Sequence, residues 1–251
     1  MRNQHYGEVN LKIFKTREDM GVVAAREASE KIIELLGEKK EINCVFAAAP
    51  SQNEFLQSLL GDSKIDWSRI NGYHMDEYIG LSQENSRSFT NFLNTKIFNK
   101  VPFKSVNLLN GLADPQEECN RYEKLLKHNP IDIVFMGIGE NGHIAFNDPG
   151  VAKFQDERLV KIVELEESCK VQQVNDGCFP TIEDVPQKAI TLTIPALVDC
   201  KYIFCVVPSA NKAKAVTSAL KGEISEVCPA SILRRTKNVN MYIDEACAAL
   251  L

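Results

Sequence analysis

Four groups of residues in this chain have the types and spacing that proton transfer on a small anion requires. His143 and Asp148 follow Gly137, Gly139 and Gly142 within the stretch IDIVFMGIGENGHIAFNDP, Ile131 to Pro149. A histidine titrates near neutral pH and can carry a proton to or from a sugar ring oxygen. Asp76 and Glu77 make a second group, and a carboxylate can move a proton between adjacent carbons. Ser51, Gln52 and Asn53 open a helix whose free amides attract anions. Lys212 stands in the first turn of another helix, where a cation opposes the helix dipole unless it meets an anion held at the same end. Together these groups suit ring opening and isomerisation of a phosphosugar. Plainer readings stand beside three of them: Ser51 as an ordinary N-cap, Asp76 and Glu77 as a solvated acidic loop, His143 as a satisfied loop histidine.

These groups can meet only if strands deliver them to one edge of a sheet. Ile131 to Met136, interrupted only by Asp132, reads as a strand buried on both faces, as in parallel sheets. The three glycines that follow let the backbone leave the sheet through conformations closed to other residues, and so put His143 at the strand's carboxyl end, where α/β proteins bind ligands. The letters Gly137 to Gly142 spell GxGxxG, but Asn147, Asp148, Pro149 and Gly150 break the helix that a dinucleotide fingerprint needs. Ile42 to Ala49 is a second buried strand, turned by Pro50 to Asn53 into an amphipathic helix; Ile70 to Met75 is a third, delivering Asp76 and Glu77 at its end. Val9 to Phe14, Ser105 to Leu109, Leu159 to Leu165, Ala189 to Ile194, Tyr202 to Val207 and Val239 to Ile243 complete the set. Thr16 with Asp19 resembles a capping box at the start of a long helix, and a short helix at Pro229 to Arg235 and a closing one from Asp244 are expected. Glu166 to Asp184, polar and carrying Gly177 and Pro180, reads as a mobile flap over the site. Seven or eight mostly parallel strands separated by helices predict a single α/β domain over residues 1–251, a Rossmann-like three-layer α/β/α sandwich.

Composition excludes several classes. With 29 basic against 34 acidic residues, the formal charge of −5 gives no case for a nucleic-acid surface. Eight cysteines occur without a CxxC pair or a zinc-like cysteine-histidine spacing, so they read as reduced thiols of a cytoplasmic protein. No signal peptide and no run of 18 apolar residues appears, which leaves no membrane partner.

Several ordered strings resemble the glucosamine-6-phosphate deaminase/isomerase family, whose fold is shared with 6-phosphogluconolactonases. They are YHMDEYIGL at Tyr73 to Leu81, NLLNG at Asn107 to Gly111, MGIGENGHIAFNDP at Met136 to Pro149, AITLTIPAL at Ala189 to Leu197 and PASIL at Pro229 to Leu233. The resemblance implies conversion of an amino-sugar 6-phosphate to a ketose 6-phosphate with release of ammonia. It makes Asp76 the proton shuttle between C2 and C1, His143 the ring opener, Asn141 and Asp148 the counterparts of the family's two further acidic positions, and Lys212 a holder of phosphate. It implies no metal and no organic cofactor, a small phosphosugar as partner, and a homo-oligomer.

The departures are as specific as the match. Asn141 replaces an aspartate and is expected to orient the imidazole by hydrogen bonding without stabilising its cation by charge. Asp148 replaces a longer glutamate, so the loop or a water must compensate. The glycine- and threonine-rich phosphate loop is here Ala48 to Asn53, and the family's flap arginine has no counterpart, with Lys170 as a substitute point charge. Two further readings follow: a lactone hydrolase or isomerase of another phosphosugar, and a catalytically weakened sugar-phosphate sensor.

Overall fold

All 251 residues are described by a computed structural model, in which eight strands form the principal sheet. They are β1 (Arg2–Tyr6), β2 (Val9–Phe14), β3 (Ile42–Phe46), β4 (Ile70–His74), β6 (Ser105–Asn107), β7 (Ile133–Met136), β10 (Tyr202–Val207) and β11 (Val239–Asp244). Their spatial order is β1-β2-β11-β10-β7-β3-β4-β6, and every pairing is parallel except that of the edge strand β1 with β2. A smaller antiparallel sheet, β5 (Asp76–Tyr78), β9 (Lys188–Leu192) and β8 (Val160–Glu164) in that order, carries the rest.

The middle strands are apolar on both faces because both faces are covered. Along β7, Ile133 and Phe135 enter one core while Val134 and Met136 enter the other. The first core takes α1 (Arg17–Glu38) and α2 (Asn53–Leu60) through residues such as Met20, Ile32, Phe55 and Leu59. The second takes α4 (Pro115–His128), α7 (Ala213–Lys221) and the 3-10 helix Pro229–Arg235 through Tyr122, Val216 and Leu233. This is the expected three-layer sandwich. Thr16 caps α1 as its sequence predicts, accepting from Asp19 N at 3.1 Å.

Strand order reverses beside β7. From β3 the chain steps outward through β4 to β6, then returns to β7 on the other side of β3 and continues to β10 and β11. The crevice beyond the carboxyl ends of β3 and β7 is therefore the ligand-binding position of such a sheet.

Four expectations need correction. Ala189 to Ile194 pairs antiparallel with β5 and Leu159 to Leu165 pairs antiparallel with that strand in turn, so neither joins the main sheet; β8 buries only Val160 and Val163, as a strand of a sheet with one wet face. The strand β1 was unexpected because RNQHY is a mostly exposed polar edge. The segment expected as a flap folds into α5 (Glu167–Asn175), which buries Cys169, Gln172 and Gln173, and a 3-10 turn at Ile182–Asp184. The closing helix shrinks to a 3-10 turn at Cys247–Leu250. Two further helices, α3 (Phe89–Leu93), continued by a π turn, and α6 (Ile194–Val198), complete the chain. No helix is long and apolar enough to cross a membrane.

Candidate active site

One cavity at the switch point brings together Ser51, Asp76, Gly137, Gly139, His143 and Lys212. Of the other residues expected in the site, Gln52, Asn53, Glu77, Asn141 and Asp148 do not line it. Asn53 is the first residue of α2, and the other four are accounted for by what they touch instead.

The cationic end is built where β3, β10 and β2 stop. After β3 the chain makes a 3-10 turn, Pro50–Gln52, that runs straight into α2, and no side chain caps either start. Ser51 is thus no N-cap; its hydroxyl oxygen accepts from Gln52 Nε2 at 3.1 Å, which leaves its proton free to donate into the cavity. The same amide donates to Val206 O at 3.1 Å, so Gln52, 1% exposed, ties the loop to β10. After β10, Ser209 takes φ +85° and its N–H is held by both carboxylate oxygens of Asp244 at 3.1 and 3.0 Å. That turn delivers Lys212, buried at 6% exposure, whose ammonium makes neither a hydrogen bond nor an ion pair with the protein. Burial lowers its pKa, opposed by the charges of Asp176 and Glu140. A buried cation without a partner asks for an anion. Arg17, the first residue of α1, also lines the cavity, with Nε 2.8 Å from Glu54 Oε2 and a guanidinium bond to Pro50 O. The signal for it was present in the sequence: a cation at the first turn of a helix directly after a strand, as with Lys212. Lys170 does not line the cavity, so the substitution expected for the flap arginine is not made there.

The two neighbouring carboxylates of β5 have opposite fates, because successive strand residues face opposite sides. Glu77 turns to the core, where Oε1 accepts from Tyr78 N (2.9 Å) and Phe89 N (3.1 Å) and Oε2 from Thr90 N (2.8 Å). It holds the amides at the start of α3 and does not line the cavity, where a substrate ligand was expected. Asp76 turns to the cavity and makes no hydrogen bond with the protein. Burial, and then the charge of Glu77, push its carboxyl well above the ordinary range.

His143 sits at the end of the β7 loop, 8% exposed. Its Nδ1 is 2.9 Å from Asp148 Oδ1, so the shorter side chain reaches the ring directly and no water is required. Asn141 does not orient the ring, as had been expected. It donates from Nδ2 to Asp148 Oδ1 (2.8 Å) and accepts from His143 N (3.0 Å), which fixes the carboxylate that in turn meets the imidazole. Burial raises the pKa of Asp148, but the hydrogen bonds and charge of His143 and the Asn141 amide outweigh it and hold the carboxyl below its usual range. Among the loop glycines only Gly142 needs a left-handed conformation, at φ +89°. Gly139 is required for a different reason, since a Cβ there would lie 2.2 Å from His143 Cε1. No helix begins within Gly137 to Gly142, as the dinucleotide fingerprint would demand.

Helix α5 closes the remaining side. Gln172, Gln173 and Asp176 line the cavity, Gln172 Oε1 accepts from Glu140 N at 2.9 Å, and Asn141 Nδ2 reaches Ser168 Oγ at 3.2 Å. Weak apolar periodicity hid this helix from the sequence, because what it buries is largely polar.

The family described as glucosamine-6-phosphate isomerases/6-phosphogluconolactonase matches residues 15–242. A glucosamine-6-phosphate deaminase of Bacillus cereus (strain B4264) is 38% identical over 243 residues, 96% of this chain and 89% of that protein. The protein of the same name from Bacillus anthracis (strain A0248) matches to the same extent. Among solved structures, a monomeric glucosamine-6-phosphate deaminase superposes with a TM-score of 0.86 at 31% identity, covering 96% of this chain and 99% of that one. The 6-phosphogluconolactonase of Trypanosoma brucei, at 17% identity and a TM-score of 0.77 over 98% and 100%, shares the fold. This chain belongs to the glucosamine-6-phosphate isomerase/6-phosphogluconolactonase family.

Proposed function

From that membership we propose that the chain is a glucosamine-6-phosphate deaminase, converting its substrate to a ketose 6-phosphate and ammonia. The observation that carries this reading is the unpartnered carboxylate of Asp76 in the same cavity as the His143–Asp148 pair and the unpaired Lys212. The phosphate lies against Lys212, Arg17 and the Ser51 hydroxyl, groups that supply charge and donors for a dianion. His143, held by Asp148, takes the proton of the anomeric hydroxyl and returns one to the ring oxygen, which opens the pyranose. Asp76 then removes the proton from C2 while O1 takes one from the substrate's ammonium group, giving an enolamine, and Asp76 delivers the C2 proton to C1. Carbon 2 becomes an iminium, which water hydrolyses to the ketone with loss of ammonia. A carboxyl raised above its ordinary range is a stronger base for a carbon acid and, once protonated, gives the proton back at C1.

Lactone hydrolysis in this cavity would leave Asp76 without a role, since that reaction moves no proton between carbons. The same proposal takes the chain as one domain over residues 1–251 in a reducing cytoplasm, in keeping with eight unpaired cysteines, and as a homo-oligomer, which sedimentation tests. Ammonia release from glucosamine-6-phosphate, assayed beside galactosamine-6-phosphate and 6-phosphogluconolactone, tests the activity. Lactone hydrolysis without ammonia release would overturn it.

A further inference from the structure

Three metal-binding side chains that the proposed reaction does not bring together as a set converge behind the cavity wall. The ligand atoms of His143, Asp148 and Cys169 all lie within 4.8 Å of one another, and all three residues are buried. Cys169 comes from α5, while the other two come from the β7 loop. Asp148, 0% exposed, has an Oδ2 that no nitrogen or hydroxyl donor reaches, the Cys169 thiol being the neighbour that hydrogen-bonds its carboxylate, and neither Asp148 nor Cys169 lines the cavity.

From this juxtaposition we infer that His143, Asp148 and Cys169 form an inhibitory site for a borderline-soft divalent cation of the Zn2+ type. One imidazole nitrogen, one carboxylate oxygen and one thiolate are the donor set that Zn2+ takes, and three protein ligands leave a fourth position for water. Ca2+ and Mg2+, which require six or more oxygen ligands, find no such shell here. A thiolate and a carboxylate neutralise a divalent charge, so the occupied site buries no net charge. Metal–ligand bonds of about 2.0–2.3 Å place tetrahedral donors roughly 3.4 Å apart. The pair at 2.9 Å must therefore open by about half an ångström and the sulfur must move in.

On binding, the Sγ–H proton leaves to solvent, the carboxylate is already ionised, and the imidazole keeps its one proton on Nε2 while Nδ1 takes the cation. An imidazole so fixed cannot accept the anomeric hydroxyl proton, so occupancy stops turnover. The cation also pins α5 to the catalytic loop. The site itself rests on geometry; the loss of turnover rests on the deaminase reading, and the two are separable by experiment.

Co2+ serves as the probe, because thiolate ligation gives a charge-transfer absorption that needs no substrate. The wild-type protein is expected to develop this band with one equivalent of Co2+, Cys169→Ala to lose it, and Cys200→Ala, a half-buried thiol elsewhere, to keep it. Loss of a ligand should weaken Co2+ binding by roughly 100-fold or more, since outer-shell partners alone are worth 10–100-fold. Asp148→Asn, read by the same titration, supplies a second variant should Cys169→Ala fail to fold, with a loss of at least about tenfold expected. No band in the wild type, a band unchanged in Cys169→Ala, or unchanged affinity in Asp148→Asn would overturn the site. Zn2+ inhibition of ammonia release that disappears in step with the Co2+ band would complete the case.

Discussion

Asp76 and Glu77 are chain neighbours of the same chemical type on one three-residue strand, yet one faces a cavity with no protein partner and the other holds three backbone amides. The two buried histidines repeat the contrast. His74 ends β4 fully buried, its Nε2 accepting from Leu109 N at 2.9 Å, and burial, with the nearby Arg121 charge, lowers its pKa to about 3. His143 ends the loop after β7 with a carboxylate behind one nitrogen and the cavity on its other side. Position at a strand's carboxyl end is shared by all four groups and so does not distinguish them. What separates them is whether the group opens on the cavity: Asp76 and His143 line it, whereas Glu77 and His74 do not.

The largest expected effect is on Asp76. Asp76→Asn should lower ammonia release by 10² to 10⁴, the usual worth of a general base, while calorimetric phosphosugar binding stays within about tenfold. Parallel loss of binding and rate would make Asp76 a scaffold residue like its neighbour. The same variant should be more stable than the wild type near neutral pH. A carboxyl whose folded pKa is raised binds more protons folded than unfolded, so its ionisation weakens the fold as pH rises from the unfolded value near 3.9 toward the folded one. The advantage of Asn should therefore vanish at pH 3 to 4, which thermal melts at the two pH values would check.

Glu77→Gln is the opposite experiment. Three charge-assisted bonds to buried amides are weakened, so stability should fall by roughly 2–4 kcal/mol, read by urea unfolding, while turnover per folded molecule changes little. His74→Gln should act likewise on stability. The wild-type protein should lose stability as pH falls from about 6.5 toward 3, because neutral His74 must become charged, and the variant should lose that part of the acid sensitivity.

Lys212→Ala is expected to be smaller again, weakening phosphosugar affinity by about 1.5–3 kcal/mol with kcat far less affected. Wild-type binding of the unphosphorylated amino sugar should be weaker than that of its 6-phosphate by at least about 3 kcal/mol, on the scale of two charge-assisted hydrogen bonds. Equal affinities in calorimetry would remove the phosphate site.

The sequence made the sandwich legible because β3, β7 and β10 are continuous apolar runs and α1 and α2 carry plain helical periodicity. It also delivered Ser51, His143 and Lys212 to one edge, since each follows such a run, and Asp76 after the more mixed strand β4. It could not assign Asp76 and Glu77 to their faces, because strand alternation states that they differ and not which one meets the cavity. Asn141 was misread for a related reason: spacing brings it near His143, but only the fold of the loop shows that its amide serves Asp148. Helix α5 escaped notice because its buried side chains include Gln172 and Gln173, and Arg17 because a basic first turn passes for solvated charge.

Turnover of glucosamine-6-phosphate deuterated at C2 tests the central claim most directly. With Asp76 as the carbon base, the ketose product of the wild-type protein should carry deuterium at C1 by NMR as ammonia is released. Asp76→Asn should show neither, although it still binds the phosphosugar. Ammonia release with C1 deuterium at the wild-type rate in Asp76→Asn would contradict the account.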